Sequence, residues 1–215
     1  MKEPKVKEVV TWIIEICTGQ EEEKEIATRN LESLPIGYFE DHAIPKSKIK
    51  HCVDSLPKVF LTSKSEGLKQ WCVQLIGELR LSSDESIKAL YSALGEGSDK
   101  IVITAVWAIG EIRASGDETE RLLIKRANHQ NREIRWRVAW AFSQINIGLQ
   151  DTISTLIGML KDSYELCRGY AIIALDNSSI TNNVVLNEVE KIAVDIEPFP
   201  RETAKMFLEK HKNKY

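Results

Sequence analysis

Ile76, Ile109, Phe142, Leu175 and Leu208 are all bulky and apolar, and each lies 33 positions after the one before. Three more columns keep the same step. They are Cys72, Ala105, Val138, Ala171, Ala204; then Leu79, Ile112, Ile145, ending at Ser178; then Leu68, Ile101, Ile134, Cys167. A second set lies between them: Ile87, Glu120, Ile153, Leu186; Leu90, Leu123, Leu156, Val189; Leu94, Ala127, Leu160, Ala193. A period of this length marks stacked supersecondary units. Inside each segment the apolar residues are three and four apart, the spacing of one helical face, and no segment keeps a two-residue alternation. The chain is therefore expected to be all-α.

Each unit reads as a helix, a short loop and a second helix. The loops carry breakers and caps, among them Gly95-Glu96-Gly97-Ser98-Asp99, Gly116-Asp117, Asn128-His129-Gln130-Asn131, Gly148, Asp162-Ser163 and Asn182-Asn183. One such hairpin cannot bury its apolar stripe alone, whereas stacked neighbours can. The expected architecture is a right-handed α-solenoid spanning residues 49–215, with second helices near 66–80, 100–113, 133–146, 166–177 and 200–211. Residues 1–48 keep the period less well. Pro4 to Cys17 and Glu21 to Leu34 read as two helices, while Pro35-Ile36-Gly37-Tyr38-Phe39 and Ala43-Ile44-Pro45 interrupt the pattern. An N-terminal helical cap suits them, because an open solenoid must cover its end.

Composition narrows the function. The 215 residues carry a formal net charge of -3, which argues against a generally basic nucleic-acid binder. Cys17, Cys52, Cys72 and Cys167 are scattered and read as reduced thiols of a cytoplasmic protein. His42, His51, His129 and His211 are scattered too, and no metal-ligand spacing appears. The N-terminal apolar run is broken by Glu15 and is too short to span a bilayer, so no membrane role is expected. The Asn177-Ser178-Ser179 sequon is read as chance. No P-loop, G-x-G-x-x-G or G-x-S-x-G stretch is present, and no cofactor is expected.

The second helices resemble the HEAT-like repeat pattern V-R-x-x-A-x-x-A-L-G-x-I. The copies read Leu68-Lys69, Cys72, Leu75-Ile76-Gly77, Leu79; then Ile101-Val102, Ala105, Ala108-Ile109-Gly110, Ile112; then Ile134-Arg135, Val138, Ala141-Phe142, Ile145; then Cys167-Arg168, Ala171, Ala174-Leu175. The resemblance covers roughly Cys52 to His211. It implies HEAT-like hairpins, second helices on a concave surface, and a structural ladder in which Arg135 and Arg168, with Lys69 in the same position, pair with loop acids such as Asp162.

A wheel at about 100° per residue, centred on the Cys72 column, places the position two residues later roughly 200° away. That position holds Gln74, Trp107, Trp140, Ile173 and Met206, so both tryptophans are expected to point away from their hairpin core. Trp71, Arg137 and Tyr170 flank this column on one side, Glu78, Glu111, Gln144 and Asn177 on the other, and Trp136 lies near one edge. Trp, Tyr and Arg dominate binding hot spots. Trp71, Trp107, Glu111, Trp136, Arg137, Trp140, Gln144 and Tyr170 are the candidate partner-binding residues. The function expected is non-catalytic: gripping another protein as a scaffold, assembly factor or toxin-neutralising protein.

A second reading comes from a resemblance in size and architecture to the bacterial alkylpurine DNA glycosylases, which hold DNA in a concave cleft. It would give Glu111 a catalytic role and Arg137 a phosphate. A third resemblance is to HEAT-like bilin lyases or chaperones. The basic run Arg121, Lys125, Arg126, Arg132, Arg135, Arg137 is a candidate anion site.

Overall fold

A computed structural model of the chain describes residues 4–34, 38, 42 and 44–211. Those residues form helices and turns, with no strand among them. The chain divides into two compact units, Met1–Ala108 and Ile109–Tyr215.

The first unit holds α1 (Val6–Thr18), α2 (Glu21–Glu32), the single turn α3 (Lys46–Ile49), a 3-10 turn at Val53–Ser55, α4 (Leu56–Thr62), α5 (Glu66–Glu78), α6 (Asp84–Leu94) and most of α7 (Asp99–Ile112). Val9, Ile13, Ile16 and Cys17 form the buried stripe of α1, which packs on α2 and on the 3-10 turn and α4. α2 packs beside α5, and α5 contacts α4 and α6. The Ser65 and Ser83 hydroxyls cap α5 and α6 by accepting from the amides of Leu68 and Ser86. Pro35, Ile36, Gly37, Phe39 and Ala43, read above as pattern breakers, lie outside the described residues. Tyr38 is buried, and its hydroxyl donates to the Pro4 carbonyl at 3.0 Å.

The second unit holds the end of α7, α8 (Asp117–Ile124), α9 (Arg132–Gln144), α10 (Gln150–Met159), α11 (Glu165–Asn177), α12 (Asn183–Ile192) and α13 (Pro198–His211). The second helices α9, α11 and α13 pack in sequence, with α8, α10 and α12 behind them. The 33-residue columns are the core: Ile76, Ile109, Phe142 and Leu175 are fully buried and Leu208 nearly so. Ordinary transfer energies make each such side chain worth about 1.5–3 kcal/mol.

Three of the second helices, α5, α7 and α11, share a stop signal that uses no glycine. Arg80, Arg113 and Ser179 sit at φ 52, 53 and 55°. Beside them the amides of Leu81, Ala114 and Ile180 reach back to the carbonyls of Ile76, Ile109 and Leu175 at 2.9, 3.1 and 2.9 Å. These are Schellman endings with a side chain where glycine is preferred. Arg113 is exposed, so Arg113→Gly relieves the left-handed strain without unpacking anything. It should raise stability by about 0.5–1 kcal/mol in urea melts; a loss of stability would show the arginine to be holding something.

One apolar column contains a charge. Glu120 stands where other repeats carry Ile87, Ile153 and Leu186, yet it is 1% exposed. Its carboxylate accepts from the amides of Gly148 (2.8 Å) and Leu149 (3.1 Å) and from the Thr152 hydroxyl (2.5 Å), tying off the start of α10. Three donors satisfy the buried group. Glu120→Leu would match the column but orphan both amides. We expect it to cost about 1–3 kcal/mol by thermal melting, and an unchanged melting temperature would contradict this role.

Candidate functional site

The site is built on the second helices, because only they carry the aromatic columns. In the first unit Trp71 lies on α5 and Trp107 on α7, both half-buried. The Trp107 ring covers Gly77 so closely that a Cβ there would lie 2.5 Å from its Cζ3. The second unit repeats this packing: a Cβ at Gly110 would lie 2.8 Å from Trp140 Cη2 and closer still to Cζ3. Each tryptophan thus lays its ring against the second helix before it, where glycine leaves the room. Each ring is left only partly open.

A second aromatic group lies on the second unit. Trp136 of α9 stacks on Tyr170 of α11, with ring centroids 5.8 Å apart and planes 22° off parallel. Tyr170 meets Phe199 of α13 edge-on at 5.4 Å, a favoured pair geometry. The Arg137 guanidinium lies 4.3 Å from the Trp136 ring centre, a cation–π distance. Glu133 fixes both, accepting from Trp136 Nε1 at 2.9 Å and Arg137 Nη1 at 2.7 Å. Those two hydrogen bonds, the indole's first, hold the Glu133 carboxyl below the usual carboxylate range.

Phe199 is absent from the sequence candidates. Its local signal is weak, since it stands in Pro198-Phe199-Pro200 just after the loop. The clue is Gly169, where a Cβ would lie 2.5 Å from Phe199 Cδ1. At the far ends of α9 and α11, Gln144 donates to the Ser143 hydroxyl at 3.0 Å, and Asn177 donates to the Ser143 carbonyl at 2.9 Å. Glu111 is half-buried.

The ladder positions pair with loop acids. Arg135 grips Asp162 with two parallel bonds, Nε at 2.6 Å and Nη2 at 3.0 Å. Arg168 grips Asp195 in the same way at 2.7 and 2.8 Å, and Lys69 reaches Glu96 at 2.7 Å. Each partner lies 27 residues on. Asp195 and Glu96 were not among the sequence candidates, although this offset was present to be found. Val102 interrupts the ladder, and the residue 27 positions after it is His129.

The ladder also changes the reading of the basic run. Arg135 is taken by Asp162 and Arg137 by Glu133, Arg121 lies 3.7 Å from Asp117, and Arg132 covers the Tyr164 ring at 4.8 Å. Four of the run's six basic residues thus have partners within the chain. All four cysteines are free and buried. Burial pushes the Cys72 thiol up to about 12 and raises Cys17, Cys52 and Cys167 as well, which leaves little nucleophilic thiolate. Among the described residues no group of three His, Cys, Asp or Glu could hold a metal ion, and no helix is long and apolar enough to cross a membrane.

Comparison with known proteins agrees with this geometry. A family of HEAT repeats matches residues 87–176. A designed armadillo repeat protein, solved in complex with the peptide (KR)4, superposes with a TM-score of 0.66 at 19% identity, covering 94% of this chain and 98% of its own. An archaeal HEAT-like repeats protein from Thermococcus onnurineus gives 0.58 at 12% identity, covering 99% and 82%. The karyopherin Kap121p, bound to the extreme C-terminus of the protein phosphatase Cdc14p, gives 0.55 at 13%, covering 94% of this chain and 23% of its own. No curated protein matches. The chain thus has an all-α helical-repeat fold of the armadillo/HEAT-like kind, with HEAT repeats matched over residues 87–176.

Proposed function

We propose that this chain is a non-catalytic protein-binding module that holds its partner on the aromatic face of its second helices. The observation that carries this reading is the Arg137–Trp136–Tyr170–Phe199 stack. It gathers the residue types that dominate hot spots, in half-open positions. Glu133 has already fixed the guanidinium and the indole, so a partner finds them ordered and little side-chain entropy is left to lose. Trp140, Gln144 and Glu111 extend this surface in the second unit, and Trp71 and Trp107 are the equivalent surface of the first. Helices α1 and α2 serve as the cap.

The structural neighbours named above include one solved with a peptide and one with a protein tail. They support a protein as the partner class. Four unpaired thiols suit a reducing compartment, and we place the protein in the cytoplasm. Nothing in the geometry favours a DNA-glycosylase role for Glu111.

The test is affinity capture from nuclease-treated lysate, with wild type beside the Trp136→Ala/Tyr170→Ala variant. A protein retained by wild type should fall at least tenfold in recovery with the variant, provided its helical melt is intact, because a hot-spot aromatic is worth about 2 kcal/mol. Equal recovery would remove this face from the proposal.

A further inference from the structure

We propose that the cleft between α2 and α5 in the first unit receives a lysine or arginine side chain of the partner protein. Its floor, about 240 Å³, is lined by Glu32, Gln70, Trp71 and Gln74. Glu32 also lines a neighbouring hollow, together with Glu25, Thr28, Arg29, Ser65 and Gly67. The close approach of the two helices makes the walls: a Cβ at Gly67 would lie 3.0 Å from Glu32 Oε1 and 3.4 Å from Thr28 Cγ2.

The chemistry of the lining selects the occupant. Gln74 donates one of its two amide N–H groups to Glu78 at 2.7 Å, which keeps its acceptor oxygen available beside the remaining N–H. Glu32 adds a carboxylate. The Trp71 indole adds a flat apolar wall, half-buried and held in place on α5. Acceptors above an aromatic wall suit a cation on an apolar stem, which lays its methylenes along the ring and its head among the oxygens. An anion would meet Glu32 and Glu25.

The charge of α2 points the same way. Its residues Glu21, Glu22, Glu23, Glu25 and Glu32 outnumber Lys24 and Arg29, and Lys24 is drawn to Glu21 at 3.2 Å. A negative field over a cleft draws cationic groups in and raises the on-rate. That the cation belongs to a protein rests on the function proposed above; that the cleft takes a cation does not.

The probe is a fluorescein-labelled hexalysine peptide, titrated with the full chain by anisotropy at low ionic strength, beside a labelled hexaglutamine peptide. Hexalysine should bind and hexaglutamine should not. Glu32→Gln should weaken hexalysine about tenfold, as expected for loss of a hydrogen bond to a charged group. Trp71→Leu should weaken it about two- to fivefold, as expected for loss of a partly exposed cation–π contact. Glu118→Gln, which removes the same charge from α8, should leave affinity within about twofold. Thermal melts confirm that each variant folds. The proposal is overturned if the two peptides bind alike, if neither binds, or if Glu118→Gln weakens hexalysine as much as Glu32→Gln does. None of these outcomes touches the capture experiment on Trp136 and Tyr170, so the two readings fail separately.

Discussion

Gly110→Ala should destabilise the chain by about 2–4 kcal/mol and change the emission of Trp140. The added methyl would lie 2.8 Å from Trp140 Cη2, nearer still to Cζ3, inside a fully buried helical position. Something must move, and both candidates are stiff. Gly110 belongs to α7, whose backbone is fixed by its hydrogen-bond ladder, and Trp140 is a large ring on α9. Overpacking of this kind typically costs about 1–3 kcal/mol, and forcing the ring outward also gives up its buried contacts. Alanine normally stabilises a helix against glycine by about 0.5–1 kcal/mol, so the sign alone separates the two effects. The double variant Gly110→Ala/Trp140→Leu should recover part of the loss, because it removes the overlap. A stabilised Gly110→Ala would mean that the Trp140 ring does not rest on Gly110.

Arg168→Ala should cost about 2–4 kcal/mol. Both side chains of the Arg168–Asp195 pair are only 12% exposed, and removing one partner strands the other; breaking a buried pair costs about 3–5 kcal/mol, reduced here by the residual solvent contact. The guanidinium also donates to the Asp162 carbonyl at 2.8 Å, so it ties two loops at once. Arg135→Ala should behave alike, through Asp162 and the carbonyls of His129 and Gln130.

The pH dependence of the ladder has a definite sign. Burial raises the carboxyl pKa of Asp162 and Asp195, but the arginine hydrogen bonds and a backbone amide outweigh it, and both end lower than an ordinary aspartate. A depressed folded pKa means stability that is fully present above the unfolded aspartate value near ~3.9 and is lost as pH falls through the lower, folded value. Acid unfolding of the wild type should therefore steepen below about pH 4. Arg168→Ala should flatten that limb, since it removes the cause of the shift at Asp195. An unchanged slope in urea titrations at successive pH values would show the pair to be mere surface charges.

The repeat itself was legible because burial of a helical stripe enforces it. Ile76, Ile109 and Phe142 must face the same core, so their 33-residue step survives in the sequence. What the sequence hid depends on contacts at other offsets. Gly77 and Gly110 match the repeat pattern without showing that a tryptophan 30 residues later needs the space. Asp195 and Glu96 stand in loops, where acids are common, and only the shared 27-residue offset from Arg168 and Lys69 singles them out. Glu120 looked like a flaw in an apolar column. Three donors from the start of α10 make it a buried cap, and no periodicity can announce donors from the backbone. The aromatic stack was half legible: Trp136, Arg137 and Tyr170 follow from the wheel, whereas Phe199 enters from the first turn of α13.

Site-specific photocrosslinking tests the central claim, that the second helices carry the partner, most directly. Met206 on α13 is 70% exposed and shares the 33-residue column of Trp140 and Ile173. Ser154, exposed on α10, marks a first helix. With benzoylphenylalanine at each position in turn, irradiation in native lysate should give a discrete protein adduct from position 206 and none from 154. An adduct from position 154 alone would place the partner on the first helices and contradict the account.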